Sequence, residues 1–240
     1  MNGKYIISCC STADVTKEYL EEKDVKYICF HYYMDDVEFR DDLYQSKTPE
    51  EFYKAMDDGA MTRTSQVNTD EFIQYLTPYL EDGYDVIHLT LSSGISGVFN
   101  SAQIAEDELR EMFPERKIYM LDSLSASAGY GLMVDKMAKL RDEGMSIDDL
   151  AQWVKDNRLN QNTWFFSTDL TYFIRGGRVS KMSGWFGTKL NICPLLNVNS
   201  EGKLIARTKN RGKKMVKKAI VDTMKSLIPG GEAYNQNVFV

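Results

Sequence analysis

Four short stretches of this 240-residue chain concentrate the side chains that could do chemistry. The first is Met61-Thr62-Arg63-Thr64-Ser65-Gln66-Val67, which places hydroxyls, an amide and a guanidinium between two helical patterns. Taken alone, turn and capping hydrogen bonds account for such a loop. The second is Leu91-Ser92-Ser93-Gly94-Ile95-Ser96-Gly97-Val98-Phe99, which follows an apolar run and opens a helix. Small residues there allow close approach to the backbone. The free amides of a helix start, joined by serine hydroxyls, suit an anion or carboxylate. A plain structural turn is the competing reading. The third is Asp122-Ser123-Leu124-Ser125-Ala126-Ser127-Ala128-Gly129, read either as a helix cap or as a neighbour of the second stretch at one sheet edge. The fourth is Tyr172-Phe173-Ile174-Arg175-Gly176-Gly177-Arg178-Val179-Ser180-Lys181. Its arginines could fork onto a carboxylate or phosphate, or face water from a surface turn.

Catalytic arrangements are scarce by comparison. The second stretch has neither the Gly-Lys-Ser/Thr of a P-loop nor a GxGxxG. It is not a nucleophile elbow, because Ser96 has Gly94 before it but Val98 after. The histidines are His31 and His88, each inside a strand pattern and each read as a core or surface imidazole. A serine hydrolase would need a base beside Ser93 or Ser96, and His88 is near them only in sequence. Cys9, Cys10, Cys29 and Cys193 form no CxxC, and adjacent Cys9 and Cys10 on a strand point to opposite faces. They read as buried free thiols, with no metal expected.

A formal charge of -6 and a pI near 5.1 argue against nucleic-acid binding. The charge is uneven: residues 1–60 hold 14 acidic and 7 basic side chains, residues 201–225 hold 9 basic and 2 acidic. The basic stretch reads as a solvated helix face or as a docking surface for an acidic partner. The chain lacks a run of 18 apolar residues, so no membrane span is expected. The N-terminus reads as a first strand rather than a signal peptide, and a cytoplasmic protein without stable membrane insertion is the expectation.

The elements that must position these stretches follow from periodicity. Strands are expected at 4–10, 25–33, 86–91 and 117–121, with helices after Thr48-Pro49, after Thr69, and over about 97–113 and 125–143. Beyond that come a helix over 146–158, a strand at 163–167, short helices at 168–174 and 184–190, a hairpin over 195–209, and a basic amphipathic helix over 212–227. Tyr234 onward reads as the start of a further strand. The fold class is therefore α/β: an N-terminal doubly wound parallel-sheet domain, residues 1–155, and a C-terminal α+β domain, residues 156–240, which reads as truncated.

The four stretches, in this order, resemble the DegV family, which includes the fatty-acid-binding subunits of bacterial fatty acid kinase. The resemblance rests on Thr64-Ser65-Gln66, Ser92-Ser93-Gly94-Ile95-Ser96-Gly97, Asp122-Ser123 through Gly129, and Arg175-Gly176-Gly177-Arg178-Val179-Ser180-Lys181. Asn191-Ile192-Cys193-Pro194-Leu195-Leu196, Gly202-Lys203, Arg207 and Arg211-Gly212-Lys213-Lys214 extend it. It implies a carrier without catalysis of its own that buries a long-chain fatty acid such as palmitate, stearate or oleate and presents the head to a kinase catalytic subunit. The alternatives are a lipid-sensing module and a serine-dependent hydrolase. The implied carboxylate set is Thr64, Ser65, Ser93, Gly94, Ser96 and Ser127, with Ser96 the principal serine and Ser93 its competitor. Arg175, Arg178 and Arg207 are implied at the pocket mouth or the partner face. The family pattern continues past Val240 to a glycine-rich segment with a histidine that helps to hold the carboxylate. Val67-Asn68 stands where the family commonly has proline.

Overall fold

The segment Asp85-Val-Ile-His-Leu-Thr90 is buried at every position. A strand shielded on both faces belongs inside a parallel sheet covered by helices. The computed structural model describes residues 4–178, 191–229 and 237–240. Along the chain come β1 (Tyr5–Cys10), a 3-10 turn (Ser11–Ala13), α1 (Lys17–Glu22), β2 (Val25–Ile28), β3 (His31–Met34), β4 (Val37–Arg40), α2 (Pro49–Asp57), β5 (Thr62–Ser65), α3 (Thr69–Glu81) and β6 (Asp85–Thr90). Then follow α4 (Val98–Met112), β7 (Ile118–Asp122), α5 (Ser127–Asp142), α6 (Ile147–Asn157), β8 (Trp164–Phe166), α7 (Thr171–Arg175), β9 (Ile192–Val198), β10 (Leu204–Arg211) and α8 (Lys213–Leu227).

The parallel sheet has the order β2-β1-β6-β7, with Ile7 opposite Ile87 and Ile87 opposite Tyr119. Helix α3 packs Phe72, Leu76 and Leu80 inward, a four-residue spacing that puts them on one face. It starts where the Asn68 side chain accepts the Glu71 N–H and the Glu71 carboxylate accepts the Asn68 N–H. Helix α4 turns Val98, Ala102, Ala105 and Leu109 inward, and the two alanines let it lie close to α3 and β7. Each large apolar side chain removed from water here contributes roughly 1.5–3 kcal/mol.

Two polar devices sit inside this core. His88 is fully buried, and that burial lowers its pKa to about 3, so the ring is neutral. Its Nδ1 lies 2.9 Å from Ser8 Oγ, Ser8 Oγ lies 3.0 Å from the Tyr75 hydroxyl, and Phe72 meets the ring edge to face. The Tyr130 hydroxyl accepts the Cys10 N–H at 2.8 Å and donates to the Leu89 carbonyl, joining the ends of β1 and β6.

A second sheet, antiparallel, has the order β4-β3-β5. It corrects the sequence reading in two places. Residues 25–33 were expected as one strand, but the chain breaks at Cys29-Phe30 and sends its two halves to different sheets. Ser11 Oγ accepts the Phe30 N–H at 3.0 Å and the Phe30 carbonyl accepts the Asp41 N–H at 2.9 Å, so both backbone groups of Phe30 are tied outside a parallel ladder. The Thr62–Ser65 segment, expected as loop, is a strand registered on β3 with Thr64 opposite Tyr32. The β3–β4 turn takes positive φ at both Asp35 and Asp36, the geometry that suits a tight hairpin. His31 fastens this sheet to α3, with Nε2 2.6 Å from Glu71 Oε1 and Nδ1 3.0 Å from Glu38 Oε1.

The third sheet, β10-β9-β8, is antiparallel, with α8 packed on it. The expected hairpin is present and extends to Ile192 and Arg211. Cys193, Leu195 and Val216 form its buried centre, with Trp164, Phe166, Ala219 and Ile220 packed against them. Helix α7 begins at Thr171, later than expected, after the Asp169 carboxylate takes the Thr171 N–H and hydroxyl. The expected helix at 184–190 lies outside the described residues, as do residues 234–236 of the expected final strand. Residues 237–240 are not in a strand, and Phe239 meets the Tyr19 ring edge to face. Cys9, Cys10 and Cys193 are buried free thiols as read, while Cys29 is half-buried.

Candidate functional site

The carboxyl ends of β6 and β7 deliver the second and third stretches to one edge of the parallel sheet. Ser92 N–H donates to the Ser125 carbonyl at 3.0 Å. The Asp122 carboxylate accepts Ser93 N–H at 3.2 Å and Leu124 N–H at 2.9 Å through one oxygen. Those bonds tie the two turns into a single rim. In open α/β sheets this is the edge at which ligands bind.

Ser92 shapes the first turn. It is fully buried, donates its hydroxyl proton to the Gly202 carbonyl at 2.8 Å and accepts the Gly94 N–H at 3.1 Å. Its carbonyl accepts the N–H groups of Ile95 and Ser96. The β9–β10 turn presses on this loop so closely that a Cβ at Gly94 would lie 2.6 Å from the Glu201 and Gly202 carbonyl oxygens. A Cβ at Gly202, where φ is +71°, would lie 1.9 Å from Ser92 Oγ. Glycine is required at both positions by space, and at Gly202 by backbone conformation as well.

Gln66 brings the first stretch to the rim. From the end of β5 its Oε1 accepts the Ser96 hydroxyl proton at 3.1 Å, and its Nε2 donates to Ser101 Oγ at 3.1 Å. Ser96 Oγ also accepts the Val98 N–H at 3.2 Å, capping the first turn of α4. Thr64 is exposed on β5 and Ser65 half-buried beside it, so the Thr64-Ser65-Gln66 segment and the Ser96 turn share one surface. Ser93 is exposed, whereas Gly94 and Ser96 are half-buried.

Ser127 stands at the start of α5, also exposed and with φ of +53°. Its hydroxyl lies near the Asp14 carboxyl. Asp14 has solvent access as a residue, yet desolvation of its carboxyl raises its pKa, with the Ser127 hydroxyl opposing that rise. Asp41, near the same 3-10 turn, is likewise raised by desolvation, with a Ser11 hydrogen bond opposing. The rim is therefore hydroxyl-rich at Ser93–Ser96, with the Asp122 carboxylate bonded to the Ser93 N–H, and carries a further carboxyl toward Asp14.

The expected arginines stand apart from this rim. Arg175 is exposed and lies over the Tyr172 ring at 5.5 Å. Arg178 Nη1 folds back onto the Gly176 carbonyl at 2.5 Å. Arg207, exposed on β10, donates from Nε to Asn197 Oδ1 at 2.8 Å. Val179, Ser180 and Lys181 lie outside the described residues. No described contact joins these arginines to Ser93 or Ser96.

Hydroxyls can hold an anionic oxygen without a metal or a base, and they are what this rim offers, since the N–H groups of Ser93, Gly94, Ile95, Ser96 and Val98 are already engaged within it. Among the described residues no group of three or more His, Cys, Asp or Glu side chains is arranged to hold a metal ion. His88 faces Ser8 and Cys10, with Nε2 3.5 Å from Cys10 Sγ, and so is no partner for Ser93 or Ser96. Two open depressions are lined by Asp35, Asp36, Met61, Thr62 and Arg63, and by Leu140, Glu143, Gly144, Met145 and Asp149. Neither touches the Ser96 turn. No helix of the described residues is long and apolar enough to cross a membrane.

Sequence reasoning passed over Ser92, Gln66, Ser101 and Asp122 as the residues that hold the rim together. Ser92, Gln66 and Asp122 carried a signal, since each lies within a stretch already singled out. Ser101 carried none, because its role comes from a helix turn meeting a strand end.

The model of the family described as "Uncharacterised protein, DegV family" matches residues 7–238. A DegV domain-containing protein of Clostridium perfringens is 34% identical over 226 residues, covering 94% of this chain and 77% of that one. A fatty acid-binding protein of Thermotoga maritima is 30% identical over 225 residues, covering 92% and 76%. The solved structure of a DegV family protein from Thermus thermophilus, described by its fatty acid binding, superposes with a TM-score of 0.83 at 27% identity, covering 95% of this chain and 79% of that one. With the ordered Thr64, Ser96 and Asp122 stretches brought to one sheet edge, the chain belongs to the DegV family.

Proposed function

We propose that this chain is a carrier that binds a long-chain fatty acid, such as palmitate, stearate or oleate, and offers its carboxylate to a partner kinase. The observation that carries the reading is the Gln66 amide closing the Thr64-Ser65 strand end onto the Ser96 turn. It gathers neutral donors at the sheet edge on a chain akin to fatty-acid-binding proteins. In this reading Thr64 and Ser96 donate to the carboxylate, with Ser65, Ser93 and Gly94 beside them and Ser127 on the adjoining turn. Arg175, Arg178 and Arg207 serve the mouth or the partner face.

The physical terms suit this role. A sixteen-carbon acid has about 14 methylenes, and at roughly 0.8 kcal/mol each their burial is worth about 11 kcal/mol before ordering costs. A buried carboxylate loses several kcal/mol unless it keeps its hydrogen bonds. Bonds to a charged group contribute about 1.5–3 kcal/mol each, so the two hydroxyls of Thr64 and Ser96 offset much of that cost. The phosphoryl chemistry then belongs to the partner.

Mass spectrometry of the purified protein after denaturing extraction is expected to recover an acyl chain. Added oleate should bind to the stripped protein, and Ser96→Ala should weaken it by about tenfold or more. An empty extract together with no uptake of oleate overturns the carrier reading. Capture of a kinase that is lost on Arg175→Ala or Arg207→Ala supports presentation; uptake of oleate without any such partner points to a lipid sensor instead.

A further inference from the structure

The hydroxyl of Ser96 has one proton, and that proton is committed. It goes to Gln66 Oε1 at 3.1 Å, while the oxygen accepts the Val98 N–H at 3.2 Å. A fatty acid carboxylate only accepts hydrogen bonds. Arranged this way, Ser96 can accept a hydrogen bond from a ligand but has none to donate.

The far side of the amide supplies a way out. Gln66 Nε2 donates to Ser101 Oγ at 3.1 Å, so two hydroxyls flank one amide. An amide turned end for end occupies the same atom positions with donor and acceptor exchanged. After that turn, the Ser101 hydroxyl donates to Oε1, Nε2 donates to Ser96 Oγ, and the Ser96 proton is released toward the ligand. Ser96 then accepts two bonds and gives one, which is the full capacity of a hydroxyl. The space is tight enough to hold the amide in line, since a Cβ at Gly97 would lie 2.9 Å from Gln66 Oε1.

We propose that Gln66, backed by Ser101, is a positioning residue that sets the direction in which the Ser96 hydroxyl points its proton, and so lets the site accept a carboxylate. The assignment rests on the carrier reading. One direction presents an acceptor, suited to a fatty alcohol; the reverse presents a donor, suited to a fatty acid. A carboxylate at position 66 cannot be reversed. Without the Ser101 hydroxyl, the reversed amide oxygen has no donor.

The test compares oleate with oleyl alcohol on the full chain, by displacement of a fluorescent fatty acid from wild type, Gln66→Glu and Ser101→Ala. Gln66→Glu is expected to lose about ten- to a hundredfold in oleate affinity while oleyl alcohol changes by less than about threefold. Ser101→Ala, which adds no charge, is expected to lose about threefold to tenfold for oleate and nothing measurable for the alcohol. A purely structural role lowers both ligands together. Equal losses for the two ligands, or unchanged oleate affinity in both variants, overturn the assignment while leaving the carrier reading intact. Failure of wild type to bind oleate sinks the carrier reading itself.

Discussion

The parallel sheet and the β8–β10 sheet solve the problem of burial in different ways. The first carries a continuous cluster running from Ile6 to Val154. The second is centred on Cys193, Leu195 and Val216 among the described residues, with β8 only half-buried. A core that thin contributes little stability by itself. Its position is instead set by contact, through the Gly202 turn seated on Ser92 and Gly94. One region is a platform, and the other is registered on it at the rim that carries the candidate site.

Four substitutions probe that contrast. Phe72→Ala, in the fully buried stripe of α3, should cost about 3–5 kcal/mol in urea unfolding and lower the whole transition. If it loosens only α3, the platform is less cooperative than its core implies. Gly202→Ala adds left-handed strain of about 1–2 kcal/mol and a clash with Ser92 worth about 1–3 kcal/mol. Hydrogen exchange should quicken in β9 and β10 and stay slow in β1 and β6; uniform quickening would erase the distinction drawn above.

A smaller effect comes from His88. Its ordinary pKa of 6.5 is lowered to about 3 by burial, so the unfolded chain binds a proton that the folded chain refuses. The stability from the neutral ring is full above about 6.5 and is lost as pH falls toward 3. Between pH 7.5 and 5.5 the loss should be about 1.4 kcal/mol, and His88→Gln should remove that difference. A pH response unchanged in the variant would place the titration elsewhere. Last, Asn68→Ala removes the cap of α3 at about 1 kcal/mol, seen as a shift in the urea midpoint with an unchanged slope.

What the sequence made legible follows from where the apolar residues fall. Residues 85–90 and the helix after Gly97 announce themselves by buried runs and helical spacing, and the glycine-rich turn between them marks the sheet edge. Strand β5 did not, because Thr62-Arg63-Thr64-Ser65 has no apolar alternation and is held by its pairing with β3. The hairpin before it did leave a trace: Asp35-Asp36 are residues that tolerate positive φ, and the chain turns there. The site was legible as types of side chain but not as bonds. That Ser92 gives its proton to the Gly202 carbonyl, and that Ser96 gives its proton to Gln66, depends on segments 110 and 30 residues apart, respectively. Nothing in local spacing encodes such meetings.

The Tyr130 phenol has a wider consequence. In the order β2-β1-β6-β7, the chain leaves β1 toward one side and β6 toward the other, so β1 and β6 flank the switch point where such sheets usually open a crevice. Here that opening is stoppered by an aromatic ring whose oxygen is stapled to both strand ends. The phenol oxygen thus sits between the two strand ends at the place that nucleotide binders leave open, with the serine turn after β6 on the same edge.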